Sequence, residues 1–299
     1  MKIRALPLLC SVLLLSFSWG QEEAKSYLLA SKENPVPIGQ TFKVTTKATM
    51  NDFPLSITIE DQKIEGKMTR SGRRVVKYEF LAADRVRATI LADITTGKQT
   101  MAGAETEIDE RQPTQGRSFL VVKKDGKWSV DPKPEDVEPA DQEAINAAIE
   151  RLEKHANNEG ETSLKMYGDK PRKIGESWEV DAVALPGMDN IEILGGKITV
   201  TFTGLEEFNG EPCAILKAKF KVAGQMDEKS MKGIGVDISG SIKITRSLKF
   251  FEDYKTTGRF GMEAMGEMQL QPGLVGTFKM GGDVKVEMLA VKVPQANEK

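Results

Sequence analysis

Residues 198–222 run ITVTFTGLEEFNGEPCAILKAKFKV, and their side chains alternate in two blocks. Ile198, Val200 and Phe202 are spaced by threonines; Ala214, Leu216, Ala218, Phe220 and Val222 are spaced by Ile215, Lys217, Lys219 and Lys221. A strand turns successive side chains to opposite faces, so the pattern predicts two antiparallel strands with one face packed and one in water. Asn209-Gly210 between them suits a hairpin, although Pro212 and its neighbours predict a loop looser than two residues. On this alternation Cys213 faces with Ile215, as a half-buried thiol.

The same period spreads outward from this hairpin. Ile242, Ile244, Leu248 and Phe250 alternate with Lys243, Thr245, Ser247 and Lys249, and Val284, Val286 and Met288 with Lys285 and Glu287. Leu55 to Ile59, Val75 to Phe80 and Val86 to Leu91 read the same way, and Asp125-Gly126 predicts a turn between Phe119–Lys123 and Trp128–Val130. The expected inward face therefore holds Ile198, Val200, Phe202, Leu216, Phe220, Ile244, Leu248, Phe250, Met262 and Met268. The lysines of the other face form a solvated surface that discourages edge-to-edge association.

One stretch departs from this period. Pro132, Pro134 and Pro139 punctuate a charged connector, after which Ile145, Ile149, Leu152 and Ala156 recur at helical spacing. Asp141 and Glu143 at its start, Lys154 and His155 at its end and Gly160 beyond predict one amphipathic helix over Pro139 to Ala156, about four turns long. A short repeat brackets it: Ile38-Gly39-Gln40-Thr41-Phe42-Lys43-Val44 matches Ile174-Gly175-Glu176-Ser177-Trp178-Glu179-Val180. The expected fold is thus mainly β: two related, curved antiparallel units, residues 21–135 and 161–299, joined by a Pro-rich connector and helix over 136–160.

Residues 1–20 predict a secretory leader. Lys2 and Arg4 precede an apolar run to Trp19, small residues Ser18 and Gly20 stand three and one before the expected cut, and Gln21-Glu22-Glu23 switches to polar. That places cleavage between Gly20 and Gln21. The run is short for a membrane span, no second one occurs, and Leu9 before Cys10 does not suit lipid attachment. The 42 bases, less the leader's two, stand against 44 acids, and no basic cluster with interleaved aromatics points to nucleic acid. With Cys10 gone, Cys213 has no intramolecular disulfide partner, so the core must hold the fold. The expected location is the periplasm or the cell exterior.

The leader, the Ile-Gly-x-x-[Phe/Trp]-x-Val openings and the residue 198–222 hairpin resemble those of secreted bacterial families of unknown function. Some of these carry curved sheets similar to lipoprotein-carrier half-barrels. The resemblance implies a fold and no catalytic residues.

The chemistry-bearing residues are few. His155 is the sole histidine, so any Ser-His or Cys-His device would need it, and its expected place is a helix terminus. Zinc has no ligand set and no calcium loop occurs. Met262, Met265 and Met268 cannot converge on a copper ion from a strand, because Met265 faces away. Gly233-Ile234-Gly235 and Gly97-Lys98 lack the rest of a nucleotide-binding motif. No catalytic residue, metal or cofactor is expected. The function expected is an exported, non-enzymatic binding or envelope-associated protein, holding an apolar small molecule or meeting an envelope protein. The alternatives are an interaction module using exposed sheet and, last, a hydrolase built on a carboxylate pair that sequence alone does not single out.

Overall fold

Alternating apolar and charged residues give this chain long, half-wetted strands, and the computed structural model describes residues 25–32, 34–134, 136–185, 191–226, 233–271 and 274–294. The expected leader, with Gly20 and Gln21, lies outside the described residues. In chain order the elements are β1 (Ser26–Tyr27), β2 (Thr41–Ile59), β3 (Gln62–Ala82), β4 (Arg85–Met101), β5 (Ala104–Arg111), β6 (Ser118–Lys124), β7 (Lys127–Val130) and α1 (Gln142–Tyr167). There follow β8 (Arg172–Lys173), β9 (Ser177–Asp181), a 3-10 turn (Ala182–Ala184), β10 (Ile191–Phe208), β11 (Glu211–Met226), β12 (Gly235–Ser247), β13 (Asp253–Gln271) and β14 (Leu274–Val293). The mainly β, antiparallel class is as expected.

The two expected units share one sheet. Twelve strands hydrogen-bond in the order β7-β6-β4-β3-β2-β14-β13-β12-β11-β10-β9, with β5 beside β4. The N-terminal strands step outward from a seam at β2, and the C-terminal strands step inward to meet it at β14, where Thr41 pairs with Val293. Helix α1 carries the chain from one sheet edge to the other. Its first half buries Ile145, Ala148, Ile149 and Leu152 against Val76, Ala88, Ile90, Phe119, Val121 and Val130. Its last turn buries Tyr167 among Val180, Val200, Phe202, Leu216 and Ile244, together with Leu29 of the N-terminal segment. Ten strand spacings of about 4.8 Å would set the outer strands roughly 48 Å apart in a flat sheet. A 26-residue helix is about 39 Å long and engages both flanks of the sheet, so the sheet curves around it.

The helix outruns its expected limits. Gly160 was the predicted stop, but the helix passes through it and ends at Gly168, whose N–H donates to the Leu164 carbonyl at 2.8 Å. Burial of Ser163 and Tyr167 on the sheet holds the second half in place, which outweighs the cost of one interior glycine, about 1 kcal/mol. His155 is therefore mid-helix and exposed, and Lys165 occupies the last turn. Two further expectations need correction. Phe208 pairs directly with Glu211 around Asn209-Gly210, both at positive φ, so that turn is a tight two-residue hairpin despite Pro212. The strand through Ile244 stops at Ser247, whose Oγ accepts the N–H groups of Lys249 and Phe250, so Leu248 and Phe250 lie in a turn.

The two Ile-Gly segments take the same local structure. Gly39 N–H donates to Phe80 O and Phe80 N–H to Gln40 O; Gly175 N–H donates to Phe202 O and Phe202 N–H to Glu176 O. Both glycines have positive φ and both isoleucines are exposed. Phe42 is buried and Trp178 half-buried, its Nε1 donating to Met166 O at 2.9 Å.

Candidate functional site

Strands β11 and β12 keep unbroken register, so their even-numbered residues share the face on which α1 lies. Under the helix that face is closed: Ala214, Leu216, Ala218 and Ile244 are buried. It continues beyond the helix through Phe220, Val222 and Met226 on β11, Val236 and Ile238 on β12, and Phe260, Met262, Ala264 and Met268 on β13. Across the seam it takes in Met280, Val284 and Val286 of β14, Met50, Phe53 and Ile57 of β2 and Met68 of β3. Many of these side chains stay half-exposed, among them Met50, Ile57, Met68, Phe220, Phe260, Met268 and Met280, and no described element lies over them. The opposite face carries Lys217, Lys219, Lys221 and Lys243, all exposed. Met265 also points that way, 61% exposed, while Met262 and Met268 are on the apolar face, so the three sulfurs do not converge.

Where the helix crosses the sheet, the structure brings together charged residues distant in sequence. Arg246 is buried beneath α1: its Nε donates to Leu29 O at 2.6 Å, one terminal nitrogen to Asp253 Oδ1 at 2.6 Å and the other to Ser163 Oγ. Its guanidinium lies 4.1 Å from the centre of the Tyr167 ring, and Tyr167 donates to Asp253 Oδ2 at 2.9 Å. Beside it, Glu159 of the helix faces Glu252 in the turn between β12 and β13, and each shifts the other's titration. Burial and the neighbouring Glu159 hold Glu252 well above the usual carboxylate range. Burial would also raise Glu159, but the Glu252 proton, His155 and Arg246 together hold it below that range. Sequence alone singled out neither of these two among 44 acids. Their neighbours Arg246 and Asp253 bind helix, N-terminal segment and sheet to one another, so the cluster acts as a clasp.

The other sequence candidates stand apart from it or from each other. Cys213 is fully buried, more than expected, among Phe42, Phe250, Tyr254 and Ala290, and burial pushes its thiol up to about 11. A thiol so protonated and enclosed is a poor nucleophile. The His155 imidazole is exposed and stands 3.9 Å from Glu159. Among the described residues no cluster of His, Cys, Asp and Glu could hold a metal, and no helix is long and apolar enough to cross a membrane. A shallow recess at the β10–β11 tip is lined by Glu206, Glu207 and Glu211, but Glu206 accepts from Thr245 and Glu211 from Ser247, each at 2.6 Å.

No protein-family model matches the chain, and no curated protein does. A lipovitellin structure, described by its lipid–protein interactions, overlays with a TM-score of 0.41 at 8% identity, covering 89% of this chain and 27% of its own. This chain thus spans about a quarter of that one. An outer membrane channel from Pseudomonas putida F1 overlays with a TM-score of 0.27 at 8% identity, covering 87% and 97%. Overlays this loose carry no conclusion about what the chain binds.

Proposed function

We propose that this is an exported, non-enzymatic binding protein whose helix-bearing face, beyond the helix, takes an apolar ligand. The observation that supports it is the run of half-exposed methionine, phenylalanine and isoleucine side chains on that face, beside fully buried neighbours on the same strands. A soluble chain seldom leaves so continuous an apolar tract open unless something occupies it. Methionine side chains are flexible and polarizable, which suits a ligand of variable shape.

The interaction-module alternative draws on β5, whose outer edge pairs with no described strand, but Glu105, Glu107, Asp109 and Glu110 line it and disfavour strand addition. Titration of a neutral hydrophobic fluorophore into the folded protein tests the reading. Saturable binding is expected, displaced by a long-chain alcohol and weakened several-fold by Phe220→Ala. A well-folded sample that binds no fluorophore would leave the interaction module as the better account.

A further inference from the structure

The apolar face is not uniform. On β3 the residues that share it are Met68, Arg70, Gly72, Arg74 and Val76, because β3 pairs with β4 in unbroken register from Gly66 to Val75 and Val76 packs beneath the helix. Two arginines therefore stand on the apolar side of the sheet, about 13 Å apart along the strand and flanking a glycine. A Cβ built at Gly72 would meet nothing within 4 Å, so the floor between them is open. Thr46, opposite Arg74 on β2, is exposed, so solvent reaches this point of the face.

Neither arginine is hydrogen-bonded to a carboxylate. Arg74 Nε stands 3.8 Å from Asp93 Oδ2, and an Arg70 terminal nitrogen 3.7 Å from Glu110 Oε2, both too long for hydrogen bonds. Arg74 is 24% exposed, yet its Nε is buried with no acceptor. Arg246 shows the contrast: equally part of the helix-bearing face, its guanidinium is satisfied from every side. A buried, unsatisfied donor on a charged group is costly, and a carboxylate that accepts from Nε and a terminal nitrogen together would remove the cost. The apolar tract begins at once: Met50 pairs with Arg70, and Phe53 with Met68.

We infer that the ligand is a fatty acid, its carboxylate held by Arg74 and Arg70 over Gly72 and its acyl chain laid along the methionine-rich tract toward Met68 and Phe53. The inference rests on the apolar-binding reading above and adds the headgroup to it. Asp93 and Glu110 set the alignment of the two arginines in the unliganded protein and yield to the shorter contact with the ligand.

The test compares dodecanoate with 1-dodecanol, which share a chain and differ in charge, by displacement of the same fluorophore from the purified protein at pH 8. The wild type should prefer dodecanoate by about tenfold, the range expected for a charge-assisted hydrogen-bonded pair. Arg74→Ala should abolish that preference by weakening dodecanoate far more than dodecanol, and the dodecanol binding that remains reports that the face is intact. Arg74→Lys, which keeps the charge but loses the fork, should restore only part of it, and Arg70→Ala should reduce it; these two carry the test should Arg74→Ala fail to fold. Equal affinity for the two amphiphiles in the wild type overturns the inference and leaves the apolar reading standing. A preference that survives both Arg70→Ala and Arg74→Lys also overturns it. Failure to bind either amphiphile sinks both readings.

Discussion

Glu159 of the helix and Glu252 of the β12–β13 turn are shifted in opposite directions, and this makes stability depend on pH from both sides. Glu252 is raised in the folded state by burial and by Glu159, so its contribution is fully present below its unfolded value and is lost as pH rises through the raised one. Glu159 is lowered overall, so its contribution is present above the unfolded value and lost as pH falls through the lowered one. The clasp should be tightest between the two, with His155, Arg246, Asp253 and the Tyr78 and Tyr167 hydroxyls as the other ionisable groups around it. Melting temperature against pH should fall at both limits, and Glu252→Gln should flatten the alkaline limb alone; an unchanged alkaline limb would refute the raised Glu252 carboxyl. The paired change His155→Ala, Cys213→Ala should leave ligand binding intact at a stability cost of about 1–2 kcal/mol, nearly all from trimming the buried thiol. None of the clasp was legible in sequence. Arg246 meets Ser163 and Leu29, 83 and 217 positions away, and nothing in local spacing marks one arginine among 42 bases as buried.

At the scale of elements, period-two alternation located β2, β3, β4, β10, β11, β12 and β14 because each strand has one wet face and one dry face. Helix length was not legible, since Gly160 is a stop by propensity and only the sheet beneath Ser163 and Tyr167 overrules it. Equally hidden was the way strand edges are finished. Asn157 of α1 accepts from Trp128 N–H and donates to Trp128 O, both at 2.8 Å, so its amide stands in for the next strand beside β7. Asn209 does the same for β14, donating to Ala290 O at 3.0 Å and accepting from Lys292 N–H at 3.1 Å. Asn157→Ala should lower stability by about 1 kcal/mol, with an unchanged denaturant slope and more aggregation on storage. Curvature has its own signature. A Cβ at Gly258 would sit 2.5 Å from both the Ser241 carbonyl oxygen and Ile242 Cγ2, whereas at Gly261 the nearest atom is 3.9 Å away. Gly258→Ala should therefore cost roughly 2 kcal/mol or more and Gly261→Ala little; equal costs in urea melts would show that this close approach does not matter.

The whole molecule is long for its mass. Strands of up to 21 residues reach about 69 Å, while a compact chain of roughly 280 residues has a radius of gyration near 19 Å. Solution scattering of the monomer should give a value clearly above that, since half of the sheet extends past the helix with its apolar face uncovered. A value at the compact figure would mean that the sheet closes on itself. The two-unit reading of the sequence stopped short of this outcome because strand alternation tells which residues face inward but not which strands adjoin. The β2–β14 pairing joins the ends of the two stretches through contacts that leave no local trace.

That seam also sets the order in which the protein can become whole. Thr41–Ile59 pairs with Leu274–Val293, so a 19-residue flank of the first meander stays bare until more than two hundred further residues have emerged. Contacts of such separation are slow to form, and a long bare flank is open to wrong pairing meanwhile. The delay suits the proposed export, because the sheet cannot be completed before the last long strand is made. The same arrangement makes loss of β14 harsher than loss of an outer strand: it would strip the middle of the sheet and leave β2 and β13 as two long unpaired flanks on one molecule.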